Sequence, residues 1–198
     1  MDDFLERMRT LYERMSAAYD TAAARYGLSC EGCAENCCTQ RFHHHTLAEY
    51  YYLREGVMEA DPDLVRQMLM RAHVVVDSYR REMEAGEMLP LMCPANFTGK
   101  CILYEHRPMI CRLHGLPHRF VKPDGAEVTG GGCHRFESEC GGPEERVDRT
   151  PFYTELAHIE RDLRVALKRR GRYRRTTAEM LLDMMAEEQS LALLLEGD

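Results

Sequence analysis

Nine of the 198 residues are cysteines, and four of these fall within nine consecutive positions, in the order Cys30-x2-Cys33-x3-Cys37-Cys38. The other five lie further along the chain, at Cys93, Cys101, Cys111, Cys133 and Cys140. Free cysteines do pack as small apolar residues, but four in one short segment must share a small volume. Soft thiolates select zinc, iron–sulfur clusters or copper(I). The pattern therefore predicts a metal site.

The cysteine spacing differs from two common metal-binding patterns. A zinc ribbon pairs C-x2-C with a second C-x2-C, whereas the first three downstream cysteines here read C-x7-C-x9-C. The ferredoxin run C-x2-C-x2-C-x3-C-P is also missing from the sequence. The ligands must therefore come from distant segments, and the spacing leaves zinc and iron–sulfur clusters both open.

Basic residues are concentrated among the downstream cysteines, although the whole chain carries a formal net charge of −7. Between positions 93 and 123 the only acid is Glu105, against five basic residues, which are Lys100, Arg107, Arg112, Arg119 and Lys122. Four thiolates around zinc or a [4Fe-4S] cluster leave a net charge of about −2. Arg107 and Arg112, which flank Cys111, are the candidate residues for compensating that charge. The alternative is that both pair with helix carboxylates.

Two segments carry longer motifs. Residues 30–38 read CEGCAENCC, and residues 101–112 read CILYEHRPMICR. They resemble the CxxCxxCC and C-x-I-Y-x-x-R-P-x-x-C-R signatures of the YkgJ-type cysteine-cluster family, which chelates zinc or iron. The resemblance extends from Gly27 to Phe136. Two features depart from it: three residues, not two, precede the Cys37-Cys38 pair, and Cys140 is an additional cysteine.

The resemblance implies a ligand set and a cofactor. The implied ligands are eight cysteines, namely Cys30, Cys33, Cys37, Cys38, Cys93, Cys101, Cys111 and Cys133. Some relatives, such as flagellin lysine methylases, are associated with a [4Fe-4S] cluster. An iron–sulfur cluster is therefore the expected cofactor, and Zn²⁺ is the alternative. Eight thiols suffice for two four-ligand sites, or for one cluster and a second metal.

Apolar residues three or four positions apart predict a mainly α-helical chain. The expected helices are one that stops near Gly27, one between a capping box at Thr46–Glu49 and Gly56, one opened by Asp61-Pro62, one from Thr150-Pro151 to Gly171, and one opened by a capping box at Thr176–Glu179. Leucine and methionine residues of the last helix form either core or a homodimer face.

Helical periodicity is lost in the cysteine-rich middle of the chain. The pattern there predicts a short strand at 101–104, a helical turn at 108–113, and a β-hairpin whose strands, 119–121 and 126–129, flank Pro123-Asp-Gly125. The expected architecture is a helical scaffold around an irregular cysteine-rich metal-binding lobe with a small β-hairpin. It forms a single domain, 1–198, with a cysteine-cluster core at 27–142 and helical extensions at 1–26 and 150–198.

Several weaker candidates surround the cysteines. His114, His118 and His134 lie near them in sequence, and Gly130-Gly-Gly132 either brings backbone N–H groups close to sulfur or forms a flexible turn. The run His43-His-His45 reads as a polar strand leaving the cysteine loop. The basic run 161–175 is better explained as a solvated face than as a nucleic-acid site.

The sequence identifies no reaction and no catalytic residue, because phosphate-binding and hydrolase motifs are missing. No apolar run approaches the roughly 20 residues that span a bilayer, and the acidic N-terminal residues are unlike a signal peptide. We therefore expect a cytoplasmic protein with reduced thiols, no membrane association and an unknown protein or redox partner. The predicted function is to hold an iron–sulfur cluster, with redox or cluster-based chemistry. The alternative is a structural zinc module that serves a protein or nucleic-acid interaction.

Overall fold

The computed structural model describes residues 1–30, 37–86, 90–141 and 145–195, and the protein is mainly α-helical, as predicted. In these ranges the helices are α1 (Asp2–Tyr26), α2 (Leu47–Glu59), α3 (Pro62–Ala85), α4 (Met109–Leu113), α5 (His134–Glu139), α6 (Thr150–Ala166) and α7 (Thr177–Leu195). The strands are β1 (Asn96–Phe97), β2 (Lys100–Cys101), β3 (His118–Val121), β4 (Glu127–Gly130) and β5 (Val147–Asp148). None of the described helices is both long and apolar enough to cross a membrane.

The chain folds into two compact units, each assembled from several segments. The first contains Met1–Cys37, Thr46–Ala48 and Pro108–Gly171, and the second contains Cys38–His45, Glu49–Arg107 and Arg172–Asp198. The predicted cysteine-cluster core, 27–142, thus contributes segments to both units. The assignment of the whole chain to one domain stays a prediction.

Helix α1 is the helix against which other helices of the first unit pack. Its buried face contains Met8, Leu11, Tyr12, Met15 and Ala23. Helices α4 and α6 both pack against it. Ion pairs between α1 and α6 include Arg7 with Asp162 at 3.0 Å and Arg14 with Glu155 at 2.5 Å. The helix ends where its spacing predicts, at Gly27, whose φ of 65° gives the left-handed conformation typical of a glycine C-cap.

The predicted hairpin is present in the first unit. Strands β3 and β4 pair in antiparallel register from His118 opposite Gly130 to Val121 opposite Glu127. The turn between them closes with the N–H of Gly125 donating to the carbonyl of Lys122 at 2.9 Å. Strand β5 pairs with β3 in parallel, so the strand order is β4-β3-β5.

Helices α3 and α7 pack together in the second unit. The hydrophobic core of this unit includes Met68 and Ala72 of α3. It also includes three residues of the last helix, Met180, Leu181 and Met184, which are therefore core residues. Whether α7 also forms a dimer face stays a prediction.

Two predicted helix caps are confirmed in the second unit. The Oδ1 atom of Asp61 accepts the N–H groups of Asp63 and Leu64 at 2.9 and 3.1 Å. In the predicted capping box, the N–H of Thr176 donates to Glu179 Oε2 at 2.7 Å, and the N–H of Glu179 donates to Thr176 Oγ1 at 3.3 Å.

Three predicted boundaries are wrong. Helix α2 runs through Gly56 to Glu59, because the glycine makes room for the ring of His106, which would lie 2.5 Å from a Cβ atom there. Helix α6 stops at Ala166, before Gly171, and Lys168 has a positive φ of 52°. Strand β2 covers only Lys100–Cys101, because Leu103 leaves the extended conformation ahead of a 3-10 turn at Tyr104–His106.

Candidate metal centre

The hydroxyl group of Tyr19 on α1 lies beside the thiol of Cys30, and thiols from two other segments of the first unit act on it electrostatically. This hydroxyl lies 3.8 Å from Sγ of Cys30, within range of a weak hydrogen bond. The thiols of Cys37 and Cys133 also interact electrostatically with the phenol. Burial raises the pKa of Tyr19, and the charge of Cys30 raises it further, so the hydroxyl keeps its proton. We call Cys30, Cys37 and Cys133 the first thiol group.

Gly115 brings the main chain close to this hydroxyl. Its φ is +111°, and a Cβ atom there would lie 2.9 Å from the Tyr19 hydroxyl oxygen and 3.8 Å from Sγ of Cys133. The carbonyl of Gly115 accepts the N–H of Cys133 at 2.9 Å. A side chain at position 115 would therefore collide with Tyr19, and the hydrogen bond fixes Cys133 beside the same hydroxyl.

Three further cysteines, Cys38, Cys93 and Cys101, belong to the second unit and interact electrostatically there, and we call them the second thiol group. The N–H of Cys93 donates to the carbonyl of Cys38 at 2.8 Å, and Cys101 follows on the β1–β2 hairpin, opposite Asn96. Burial raises the pKa of the Cys93 thiol to about 12, and the charges of Cys38 and Cys101 add to the rise. A thiolate at position 93 therefore requires a bound cation.

The remaining predicted ligands are placed as follows. Cys111 lies in α4 of the first unit, where its N–H donates to the carbonyl of Pro108 at 3.0 Å. Cys33 lies outside the described residues. Cys140 packs against the hydrophobic cluster that contains Leu28, Leu116 and Phe136, which gives it a packing role.

The thiol groups fit a soft metal in the chemistry of their donors. In the part of the chain that the structure describes, no three cysteine, histidine or acidic side chains stand close enough together to hold a metal ion.

The two arginines proposed to compensate thiolate charge are held by aromatic rings. The guanidinium of Arg112 lies 4.4 Å from the ring centroid of Tyr12 and donates to Ser16 Oγ at 3.2 Å, so Arg112 is buried against α1. The guanidinium of Arg107 lies 3.6 Å from the ring centroid of Tyr104 in the second unit. Their role toward a metal stays a prediction.

Sequence reasoning missed a buried cation of the first unit, Arg149. Its residue is 2% exposed, and its guanidinium donates to the carbonyl of Leu113, the last residue of α4. It also interacts with the phenols of Tyr153 and Tyr19. No carboxylate among the described residues pairs with it. This arginine therefore places an uncompensated positive charge near the first thiol group. Such a buried charge is costly unless an opposite charge lies close to it.

Two of the candidate histidines lie in the field of Arg149. Burial lowers the pKa of His114 and of His118, and Arg149 lowers both further, so these imidazoles are neutral. Position 130, beside His118, must be glycine for steric reasons, because a Cβ atom there would lie 2.3 Å from the His118 ring. A Cβ atom at Gly132 would likewise lie 2.4 Å from the ring of Phe136. The third candidate, His134, is the first residue of α5.

The histidine run at 43–45 includes one buried residue. His44 pairs through its main chain with Arg175 as an isolated β-bridge, and one ring nitrogen, Nε2, lies 3.0 Å from Thr177 Oγ1. Burial lowers the pKa of His44 to about 3, and the neighbouring histidines add to the shift. The other ring nitrogen, Nδ1, lies 4.0 Å from Oε1 of the buried Glu49, but burial outweighs this contact and keeps the imidazole neutral.

Comparison with known proteins adds no assignment, because the chain matches no protein-family model, no curated protein and no solved structure. The resemblance to the YkgJ-type cysteine-cluster family therefore depends on the cysteine motifs alone.

Proposed function

We propose that this chain binds a [4Fe-4S] cluster through the cysteines of its first unit and serves as a cytoplasmic redox protein. The observation that carries the proposal is the first thiol group, in which Cys30 lies 3.8 Å from the Tyr19 hydroxyl while Cys37 and Cys133 interact electrostatically with the same phenol. Cys33 and Cys111 are the candidates for the fourth ligand. When bound, such a cluster supplies one-electron redox chemistry at a potential that the surrounding protein sets.

The charge distribution of the first unit supports an anionic centre. A [4Fe-4S] cluster with four thiolates carries a net charge of about −2, which the protein must offset. Arg149 is buried, and no carboxylate among the described residues pairs with it. Its guanidinium donates to the carbonyl of Leu113, two residues before Gly115, and it interacts electrostatically with Tyr19. An anionic cluster would compensate this charge.

The second thiol group supports a second candidate function, a structural zinc site. Cys93 and Cys101 pack against the hydrophobic core of the second unit, alongside residues of α3 and α7. Structural zinc sites are closed, and they stabilise folds through thiolates that are otherwise costly to bury. The raised pKa of Cys93 indicates this cost. Zinc would then shape this unit for a protein or nucleic-acid partner.

Anaerobic production of the chain with iron and sulfide supplied tests the iron–sulfur proposal. We expect a brown protein with a broad absorption band near roughly 400 nm that bleaches on reduction, because zinc thiolates have no such band. Colourless protein with stoichiometric zinc under these conditions would contradict the proposal and favour the zinc module.

A matched pair of cysteine variants tests the assigned ligands. Cys133 and Cys140 both pack beside the same hydrophobic cluster of the first unit, but only Cys133 belongs to the first thiol group. Cys133→Ala should lose most of the 400 nm absorption, whereas Cys140→Ala should keep it. Equal loss in both variants would show that the effect comes from packing.

A further inference from the structure

We propose that Tyr19 is part of the metal centre, where its hydroxyl donates a hydrogen bond to the Cys30 thiolate and thereby raises the reduction potential of the bound cluster. This inference rests on the proposed function. Tyr19 lies on α1, outside the residues that resemble a cysteine-cluster family, and no cysteine spacing points to it.

The position of the hydroxyl is fixed from three directions. The ring of Tyr19 packs against the hydrophobic cluster formed by Ala23, Leu28, Leu116 and Phe136. The main chain at Gly115 lies close to the hydroxyl oxygen, at a position that admits no Cβ atom. Sγ of Cys30 lies 3.8 Å from the hydroxyl oxygen. A rigid helix and a packed ring therefore aim one O–H group at sulfur.

The chemistry of the pair assigns the donor. A phenol carries one O–H donor, and a metal-bound thiolate can only accept. A hydrogen bond to a ligand sulfur withdraws electron density from it and favours the reduced cluster.

A second tyrosine on the same helix provides the matched control. The hydroxyl of Tyr26 donates to the carbonyl of Glu145 at 2.5 Å and accepts the N–H of Glu145 at 2.7 Å. The main chain of Glu145 therefore occupies this hydroxyl both as a hydrogen-bond donor and as an acceptor. Tyr26 packs against the same hydrophobic cluster as Tyr19, so removal of either hydroxyl perturbs packing to a similar extent, and only Tyr19 reaches a thiol.

The first test compares the reconstituted wild-type chain with Tyr19→Phe and Tyr26→Phe. Each substitution removes one oxygen atom and keeps the ring, so we expect all three proteins to hold equal iron and sulfide. Tyr26→Phe also loses two hydrogen bonds to Glu145 and should melt at a somewhat lower temperature. Redox titration should then give a lower midpoint potential for Tyr19→Phe and an unchanged one for Tyr26→Phe. An unchanged potential in Tyr19→Phe with a full cluster would overturn the inference.

Cobalt(II) provides a test that does not depend on the iron–sulfur cluster. Titration of the reduced metal-free proteins with Co²⁺ alone gives a sulfur-to-cobalt charge-transfer band. We expect this band at longer wavelength in Tyr19→Phe than in the wild type or Tyr26→Phe, because a thiolate without a hydrogen bond donates charge more readily. If the wild type takes up no cluster but shows this difference, the proposed function fails and the role of Tyr19 stands. Identical bands in all three proteins, or no cobalt binding, would overturn the role of Tyr19.

Discussion

A single buried imidazole makes the stability of the second unit depend on pH. His44 is 1% exposed and has a folded pKa of about 3, against an ordinary value of 6.5. Below pH 6.5 the unfolded chain takes up a proton at this position that the folded chain does not. The stabilising contribution is therefore complete above pH 6.5 and is lost as the pH falls toward 3.

The corresponding experiment is urea unfolding of the reduced chain at pH 7.5 and pH 5.5. Lowering the pH from 7.5 to 5.5 should reduce the free energy of unfolding of the wild type by about 1.4 kcal/mol more than that of His44→Gln. The variant lacks the side chain that is protonated only in the unfolded chain. His158 is exposed on α6, and His158→Gln should follow the wild type. Equal pH dependence in all three proteins would show that His44 can be protonated in the folded state.

The residues that complete the candidate site could not be predicted from the sequence. Its thiols are visible in the sequence as a motif, because closely spaced cysteines are a recognised signature of metal sites. Tyr19 and Arg149 carry no such signal, since tyrosine and arginine are common on helices and neither is near a cysteine motif. Only the folded arrangement brings them to Gly115 and Leu113.

A glycine inside α2 couples this helix to the 3-10 turn that follows β2. The ring of His106 lies against Gly56, stacks on Tyr52 at 4.8 Å between centroids, and has its Nε2 atom 3.3 Å from Glu55 Oε2. Glycine in the middle of a helix normally costs up to about 1 kcal/mol relative to alanine. Here the close approach of the imidazole offsets that cost.

A double-mutant cycle tests this contact. Gly56→Ala should destabilise the wild-type chain, because its Cβ atom would lie 2.5 Å from the imidazole. The same substitution in His106→Ala should stabilise, as it does in an ordinary helix. The four unfolding free energies should thus give a coupling of at least about 1 kcal/mol. Stabilisation by Gly56→Ala in both backgrounds would contradict the contact.

The start of α7 depends on its capping box. Thr176→Ala removes the hydroxyl that accepts the N–H of Glu179, and we expect a loss of about 1 kcal/mol of unfolding free energy. Thr10 is an exposed threonine inside α1, and Thr10→Ala should be neutral or slightly stabilising. Denaturant unfolding of both variants measures the difference, and equal effects would exclude a capping contribution.

Elements with local signals were predictable, and those decided by distant contacts were not. The glycine stop of α1, the Asp61 cap of α3 and the β3–β4 hairpin are specified by neighbouring residues, and all three are confirmed. The continuation of α2 through Gly56 depends on His106, fifty positions further along the chain. Sequence patterns around the glycine contain no information about that contact.

At the scale of the whole molecule, the described cysteines are divided between two units. The family resemblance implies eight cysteine ligands without dividing them into sites, and the structure places Cys37 in the first unit and its neighbour Cys38 in the second. Cys37 interacts with Tyr19, and Cys38 interacts with Cys93. Spacing along the chain cannot predict this division, because adjacent residues can contribute to different units.

The central claim is that the cysteines of the first unit bind a [4Fe-4S] cluster. The iron content of Cys37→Ala and Cys38→Ala tests it most directly. The wild-type chain, prepared anaerobically with iron and sulfide, should hold about four iron and four sulfide per chain. Cys37→Ala should lose most of both, whereas Cys38→Ala should keep them, because only Cys37 belongs to the first thiol group. Full iron in Cys37→Ala, equal loss in both variants, or zinc in place of iron in the wild type would contradict the account.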